Sequence, residues 1–139
     1  GVAAATIDAP VGHVDLAPTI CAAAGLAVPD WMQGAPLPID ADSARGRERT
    51  ITEWQDGFAG ADITMRTLYR DGYICTAYEK TNYYDDGVGE LYDLSDDPRQ
   101  WRNLWDDPAR RSLKSDLIAD LYDNLPEGRA EPLEKVAQV

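Results

Sequence analysis

Alternating polar and apolar positions predict strands in the middle of the chain. Residues 50–55 and 63–69 alternate in this way, which is the period of a half-buried strand. Residues 73–78 and 90–94 are two further short runs rich in apolar and aromatic side chains. The Asp71-Gly72 pair between the second and third runs is typical of a tight hairpin turn. We therefore expect an antiparallel sheet of about four strands.

Apolar residues that recur every four positions predict a helix after the sheet. The positions of this repeat are Leu113, Leu117, Leu121 and Leu125, with Ile118 and Tyr122 beside them. Asp107-Pro108 supplies an N-cap followed by proline at the first helical position, and Pro126 ends the helix. The apolar stripe should lie across one face of the sheet. We expect Trp101, together with Leu104 and Trp105, to anchor the connecting segment there.

A short apolar helix is predicted over residues 16–24. Asp15 is a suitable N-cap, Pro18 falls in the first turn, and Gly25 is a suitable stop. Because nearly every side chain of this helix is apolar or small, we expect it to be buried on several sides. A chain of this size cannot easily provide that cover. Residues 26–47 contain three prolines and two glycines, which predict a long loop that wraps a surface.

These elements together predict an α+β fold. The sheet carries a C-terminal helix packed across it and is preceded by the short helix and the long wrapping loop. We divide the chain into residues 1–47, a sheet-plus-helix part at 48–126, and a loose polar tail at 127–139. A length of 139 residues fits one modest hydrophobic core.

The charge of the chain argues against nucleic acid as a partner. Its net charge is −12, from 13 basic and 25 acidic residues, whereas phosphate backbones require clustered lysine and arginine. A solubilising acidic surface accounts for this charge, and a cation-binding surface is the alternative. No apolar run approaches the roughly 20 residues that a membrane span needs, so we expect no membrane association.

The two cysteines, Cys21 and Cys75, lie far apart in sequence and within apolar stretches. We expect both to be buried structural thiols, because free cysteine packs as a small hydrophobe. Their spacing matches neither a metal site nor a redox pair, and a disulfide between them depends on a distance that sequence does not give. This cysteine usage favours a cytoplasmic protein.

Few residues of the chain carry chemistry. His13 is its single histidine, and we expect it to be packed at a strand–helix junction rather than to act in catalysis. The acidic pairs at 85–86, 96–97 and 106–107 lack the spacing of a calcium loop. We therefore expect them to serve turns and caps rather than a metal ion.

Glu53 and Trp54 are the candidate site residues of the chain. They stand at the end of a predicted strand and before a glycine-rich stretch, where polar groups beside an aromatic can line the rim of a substrate pocket. Ordinary packing of Trp54 is the alternative interpretation. No catalytic residue and no metal ligand is assigned.

The order of several short motifs resembles the C-terminal region of the sulfatases, the formylglycine-dependent hydrolases of the alkaline phosphatase superfamily. Residues 11–25 resemble a strand leading into a V-D-x-x-P-T-x-x-x-x-x-G helix, and Pro29 with residues 34–37 resembles the P-x-x-x-x-G-x-x-L segment that follows. Residues 65–67 resemble the R-T of the first C-terminal strand. Residues 90–98 resemble E-L-Y-D-L-x-x-D-P, and residues 103–104 resemble the N-L before the last helix. The resemblance covers about residues 10–125.

The same resemblance also defines what this chain lacks. Neither C-x-P-x-R nor S-x-P-x-R, the motif that supplies the formylglycine nucleophile, occurs in the sequence. The family's calcium ligands lie before the first matching segment. Ile74 follows Tyr73 where the family often has a basic residue. The resemblance thus implies that calcium and formylglycine belong to a catalytic domain outside this chain, and that residues 1–47 are the trailing segment of that domain.

The resemblance implies a C-terminal subdomain or fragment that is inactive alone and packs on the catalytic domain of its parent. Its exposed apolar surface would then also allow self-association. Two alternatives stay open at this point. The parent could cleave phosphate or phosphonate esters instead of sulfate esters, or the chain could be a stand-alone, non-catalytic interaction domain.

Overall fold

A four-stranded antiparallel sheet forms the centre of the structure. The computed structural model describes residues 6–58 and 61–126. The strands are β1 (Arg49–Phe58), β2 (Ala61–Arg70), β3 (Tyr73–Tyr78) and β4 (Gly89–Asp93), and they lie side by side in chain order. The sheet and its two flanking helices confirm the α+β prediction.

The first hairpin is longer than the sequence predicts. The alternating pattern predicts strands at 50–55 and 63–69 with a turn between them that begins at Asp56-Gly57, but the pairing of β1 with β2 continues through these residues to Phe58 opposite Ala61. The cross-strand ladder therefore overrides the local preference of an Asp-Gly pair. The second hairpin is as predicted, because Asp71 and Gly72 both have positive φ angles, of 52° and 80°, as a two-residue turn of this hand requires.

The second helix packs across one face of the sheet. A 3-10 turn (Pro108–Arg110) leads into α2 (Arg111–Asp123), and the Asp107 carboxylate accepts a hydrogen bond from the Ala109 amide at 2.9 Å. The predicted cap is thus confirmed. The helix ends at Asp123 rather than at Leu125, because the side-chain amide of Asn124 donates to the Asp120 carbonyl at 2.9 Å.

The hydrophobic core lies between this helix and the sheet. Leu68, Cys75 and Leu91 stand side by side on β2, β3 and β4 and are fully buried under Leu117 and Leu121 of α2. The leucine stripe is therefore confirmed as the core face of the helix.

One part of the predicted anchor is wrong. Leu104 and Trp105 are buried against the core, whereas Trp101 is 79% exposed. The residue before it, Gln100, has a positive φ angle of 55°. The Arg99 guanidinium lies over the Trp101 ring, 5.1 Å from its centroid. The indole therefore lies at the surface and contacts an arginine rather than the sheet.

The first helix, α1 (Leu16–Ala23), follows a 3-10 turn (His13–Asp15). Gly25 ends it as predicted, with a φ angle of 71° and the Leu26 amide bonded back to the Cys21 carbonyl at 2.9 Å. The expectation that this helix is buried is wrong for the described residues. Ile20 is 69% exposed, because no other described element covers that side of α1.

The expected positions of His13 and of the cysteines are partly corrected. His13 is exposed rather than packed. Cys75 is fully buried, and that burial raises the pKa of its thiol to about 11. Cys21 is half-buried, and neither cysteine forms a disulfide.

Ion pairs fasten α2 to the sheet. The carboxylate of Asp120 accepts from Arg49 of β1 at 3.0 Å and from Arg70 of β2 at 2.6 Å. Arg70 also pairs with Asp116, and these two aspartates raise its pKa. Within the described ranges, no helix is long and apolar enough to cross a membrane.

Candidate functional site

A buried carboxylate organises the segment before the sheet. Asp15 is 5% exposed. Its carboxylate accepts hydrogen bonds from the Gly12 amide at 3.0 Å, from the Ala35 amide at 2.9 Å and from Arg47 Nη1 at 2.9 Å. Asp15 is the N-cap residue of α1, as predicted, but its side chain makes no capping bond to that helix. Asp15 instead joins three separate parts of the N-terminal segment.

Thr19 and Arg47 complete this polar cluster, which we call the Asp15 cluster (Asp15, Thr19 and Arg47). Thr19 Oγ1 donates to the Asp15 carbonyl at 2.6 Å and accepts from the Leu37 amide at 2.8 Å. Arg47 Nη2 donates to the carbonyls of residues 35 and 36 at 3.1 and 2.8 Å. The wrapping loop is therefore closed onto α1 by polar contacts.

The cluster keeps Asp15 ionised. Burial raises the pKa of this carboxyl, but the amides of Gly12 and Ala35 and the guanidinium of Arg47 outweigh burial, so the pKa lies below its ordinary value of 3.8. A charged group that is both hydrogen-bonded and paired is one of the few that a protein interior tolerates. Its role here is to hold backbone together.

The apolar side chains of the same segment point outward. Those that are at least 45% exposed are Val11 (45%), Val14 (49%), Leu16 (49%), Ile20 (69%), Leu26 (64%), Trp31 (77%) and Ile39 (67%). Between residues 6 and 47, Asp15 and Pro18 are the buried residues. Seven large apolar side chains thus lie at the surface while a carboxylate is buried, which is not the distribution of an ordinary domain.

A cleft of about 1370 Å³ separates this segment from the sheet. One wall is formed by α1 and the wrapping loop, and it includes Ala22, Ala23 and Leu37. The opposite wall is formed by β1 between Arg49 and Glu53, with Asn124 and Pro126 at one end. The cleft therefore runs beside the first strand of the sheet.

The two candidate site residues lie on opposite faces of the sheet. Glu53 lines the cleft and accepts from Arg66 Nε at 2.9 Å. Trp54 points to the other face, is 42% exposed and stands in register with Met65. Alternation along a strand requires this separation of neighbouring residues. The predicted role of both at the rim of a pocket stays a prediction.

The face that carries Trp54 is rich in tyrosine. Met65 is in register with Tyr78 of β3, and the Tyr78 ring stacks on that of Tyr84 with centroids 4.4 Å apart. Burial and the neighbouring Glu90 carboxylate raise the pKa of Tyr78 to about 12. This phenol therefore stays neutral at physiological pH and presents a half-buried hydroxyl on that face.

The described residues do not fit a catalytic metal or nucleophile centre. Across residues 6–58 and 61–126, no three histidine, cysteine or acidic side chains come together in a way that could hold a metal ion. Cys21 and Cys75 are followed by Ala22 and Thr76, and neither lies in the motif of a formylglycine precursor.

A match to a protein-family model identifies the family of this chain. The C-terminal model of N-sulphoglucosamine sulphohydrolase matches residues 2–127, nearly the whole chain. The chain belongs to the sulfatase family. The resemblance drawn from the ordered motifs is thereby confirmed, and Asp15 and Thr19 of the Asp15 cluster lie within the motif V-D-x-x-P-T of this sulfatase domain.

Curated and solved sulfatases agree with this assignment. A Delta 4,5-hexuronate-2-O-sulfatase of Bacteroides thetaiotaomicron is 29% identical to the chain, across 82% of the chain and 24% of that relative. The solved structure of a 2-O GAG sulfatase is 31% identical, has a TM-score of 0.62 and is matched over 78% of this chain and 23% of its own.

A third comparison bears on the fold alone. A structure solved in complex with its substrate, D-glucosamine-2-N,6-O-disulfate, has a TM-score of 0.60 at 20% identity. The chain covers 22% of that structure. The sulfatase domain described here thus spans about a quarter of the length of the sulfatases that it matches.

Sequence reasoning found the positions of this site but not their connections. The V-D-x-x-P-T motif drew attention to Asp15 and Thr19, and their spacing of four residues was a usable signal that both face the same way. Arg47 was missed, because it lies 32 positions from Asp15 and stands in a loop with no pattern of its own.

Proposed function

We propose that this chain is the C-terminal subdomain of a longer sulfate-ester hydrolase and that it is inactive by itself. The observation that carries the proposal is the N-terminal segment, which buries the charged Asp15 and exposes seven large apolar side chains. A segment built in this way gains stability when another surface covers it. The preceding part of a sulfatase, its catalytic domain, is the partner that we propose for that surface.

The chemistry then belongs to the preceding polypeptide. Formylglycine, as its hydrate, supplies the nucleophile for a sulfate ester in this family, and calcium accompanies it. We assign this chain the tasks of packing on the catalytic domain and shaping the edge of its cleft. Absence of a C-x-P-x-R or S-x-P-x-R motif from the sequence supports this division.

Sulfated saccharides are the substrate class that we propose for the parent. The relatives' names support this class, since they include a hexuronate-2-O-sulfatase and a 2-O GAG sulfatase. Phosphate and phosphonate esters are the competing class within the superfamily, and no contact in the described residues favours them. A stand-alone interaction domain would have to leave the apolar exterior of residues 11–39 in water.

The reading frame upstream of Gly1 provides the first test. We expect an in-frame C-x-P-x-R or S-x-P-x-R motif a few hundred residues earlier, and release of sulfate from sulfated saccharides by the whole protein. Replacement of the Cys or Ser of that motif with alanine is the matched control and should abolish release. A frame that begins close to Gly1, or a whole protein that cleaves phosphate esters alone, would overturn the proposal.

Trp54 offers a second test within this chain. We propose that its exposed indole contributes to the rim of the substrate cleft in the parent. Trp54→Ala should then raise KM for the saccharide about tenfold, the size expected when an aromatic contact worth roughly 1.4 kcal/mol is lost. Thr52→Ala, two positions earlier on the same face, is the control and should leave KM unchanged.

A further inference from the structure

The two edges of the sheet are finished in different ways. At the β4 edge, Asn103 takes the place of a further strand. Its side chain accepts from the Leu91 amide at 3.0 Å and donates to the Gly89 carbonyl at 3.2 Å. The Leu104 amide donates to the Leu91 carbonyl at 2.8 Å. The outward amide and carbonyl of Leu91 and the outward carbonyl of Gly89 are therefore satisfied within the chain.

The hydrogen-bond pattern identifies the outward groups of β1. The Glu79 amide donates to the Thr64 carbonyl at 3.0 Å, so Thr64 directs its backbone groups toward β3. Backbone direction alternates along an antiparallel strand, which turns Met65 and its odd-numbered neighbours toward β1. Their partners in β1 are the even-numbered residues, such as Trp54 opposite Met65.

The odd-numbered residues of β1 therefore direct their amides and carbonyls away from the sheet. Those whose side chains the structure describes are Arg49, Ile51, Glu53 and Gln55. None of their backbone groups has a hydrogen-bond partner on the outer side among the residues that the structure describes. An uncovered strand edge of ten residues without proline is a feature that natural proteins normally protect.

This open edge coincides with the cleft. Arg49, Ile51 and Glu53, three of the four outward residues, line it. The facing wall is apolar where α1 and the wrapping loop contribute Ala22, Ala23 and Leu37. A strand placed here would find backbone partners on one side and apolar contacts on the other, which is the pattern of β-strand addition.

We propose that an extended segment of the catalytic domain occupies the cleft and pairs with β1 as a fifth strand of the sheet. This inference rests on the proposed function, because the occupant belongs to the polypeptide that precedes this chain. That polypeptide enters on the correct side. Pro10 lines the cleft, and a Cβ on Gly12 would lie 2.9 Å from Thr50 Oγ1.

The lengths of the relatives and the chemistry of the cleft define the occupant. The chain covers 24% of a curated sulfatase, so such a parent has ample polypeptide to contribute a strand. Apolar side chains at alternate positions of that strand would contact the wall formed by α1. The β4 edge offers no such place, because Asn103 and Leu104 already occupy the backbone groups of Leu91 at its centre.

Residue-resolved hydrogen exchange on the longer protein tests the proposal. The inward amides of Thr50, Thr52 and Trp54 pair with β2 and provide the internal reference. We expect the outward amides of Ile51 and Glu53 to exchange as slowly as these references. Outward amides that exchange about a hundredfold faster or more, in a longer protein that still cleaves sulfate esters, would overturn the fifth strand and leave the proposed function standing.

The remaining outcomes are also distinguishable. Protection of the outward amides that depends on protein concentration would show pairing with a second copy and overturn the proposal. Protection that disappears when the chain is stopped after Pro126 would assign the edge to residues 127–139 and overturn it as well. A reading frame that encodes no longer protein would overturn the proposed function and this inference together.

A proline variant gives an independent measurement. Gln55 is exposed and directs its amide outward, so Gln55→Pro removes a donor that the β1–β2 ladder does not use. With a fifth strand present, this variant should speed exchange at Glu53 at least about tenfold and leave Trp54 protected. Equal exchange in the variant and the native protein at both positions would contradict the added strand.

Discussion

The two parts of this chain are built in opposite ways. In the sheet-plus-helix part, leucines fill a dry interior and the ion pairs of Asp120 lie at its margin. In the segment before it, the buried residues are Asp15 and Pro18, the Asp15 carboxylate is paired with a guanidinium, and seven large apolar side chains face outward. The first part resembles a domain that is stable alone. The second resembles the inner layer of a larger domain whose outer layer is elsewhere.

The largest loss of stability should come from a cavity in the hydrophobic core of the sheet-plus-helix part. Leu117 is 1% exposed beneath the sheet, so Leu117→Ala should lower the free energy of unfolding by about 2–5 kcal/mol through lost burial and a residual cavity. Chemical denaturation followed by circular dichroism measures the change. Val14→Ala, at a 49% exposed position, is the control, and a loss as large as that of Leu117→Ala would contradict the comparison.

Loss of the Asp15 contacts should unfold the N-terminal segment and leave the sheet folded. Asp15→Asn removes the charge that Arg47 pairs with and places an amide donor opposite backbone donors, which should destabilise the N-terminal segment by about 1–3 kcal/mol. Trypsin cleavage after Arg47 should accelerate while the sheet keeps its circular dichroism. Asp42→Asn, in a fully solvated pair with Arg45, should leave cleavage after Arg47 unchanged.

The two parts should also differ in their response to acid. The pKa of Asp15 lies below its ordinary value of 3.8 in the folded chain, so its contribution is present above that value and is lost as pH falls through the folded pKa. The hydrogen-exchange rate of the Ala35 amide, divided by its intrinsic rate at the same pH, should therefore rise below about pH 3.8. In Asp15→Asn the same amide should show no such acid transition, and an identical profile in both proteins would refute the assignment.

The smallest effect should come from the outside of α1. Ile20 is 69% exposed in this chain, so Ile20→Ala should change its stability by less than about 0.5 kcal/mol. In the longer protein the same substitution should cost about 2–4 kcal/mol if the proposed catalytic domain covers this side chain. Equal effects in the two proteins would show that the catalytic domain does not pack there.

Local patterns predicted what local physics decides. The second hairpin, the Asp107 cap, the Gly25 stop and the stripe through Leu117 depend on residues within a few positions of one another, and all were found from the sequence. The first turn was misplaced because pairing with β2 carries β1 past Asp56 to Phe58.

Long-range partners account for what sequence reasoning missed. Asp15 looks like a helix cap because caps are local, yet two of its partners lie 20 and 32 positions away. Trp101 looks like an anchor because it is large and apolar, yet the loop turns it outward. The opposite placement of Glu53 and Trp54 was available from strand alternation, whereas the open edge of β1 depends on the whole sheet.

Arg47 and Arg49 also define where the molecule can bend. Arg47 is bonded to Asp15 on one side of the junction, and Arg49, two positions later, is bonded to Asp120 on the other. A single residue, Glu48, separates the two attachments. Because each ion pair joins two groups on its own side of Glu48, a rotation of the sheet against α1 would keep both pairs and would be taken up at the backbone of Glu48. A displacement of α1 would then reach the start of the sheet along the chain through this one residue.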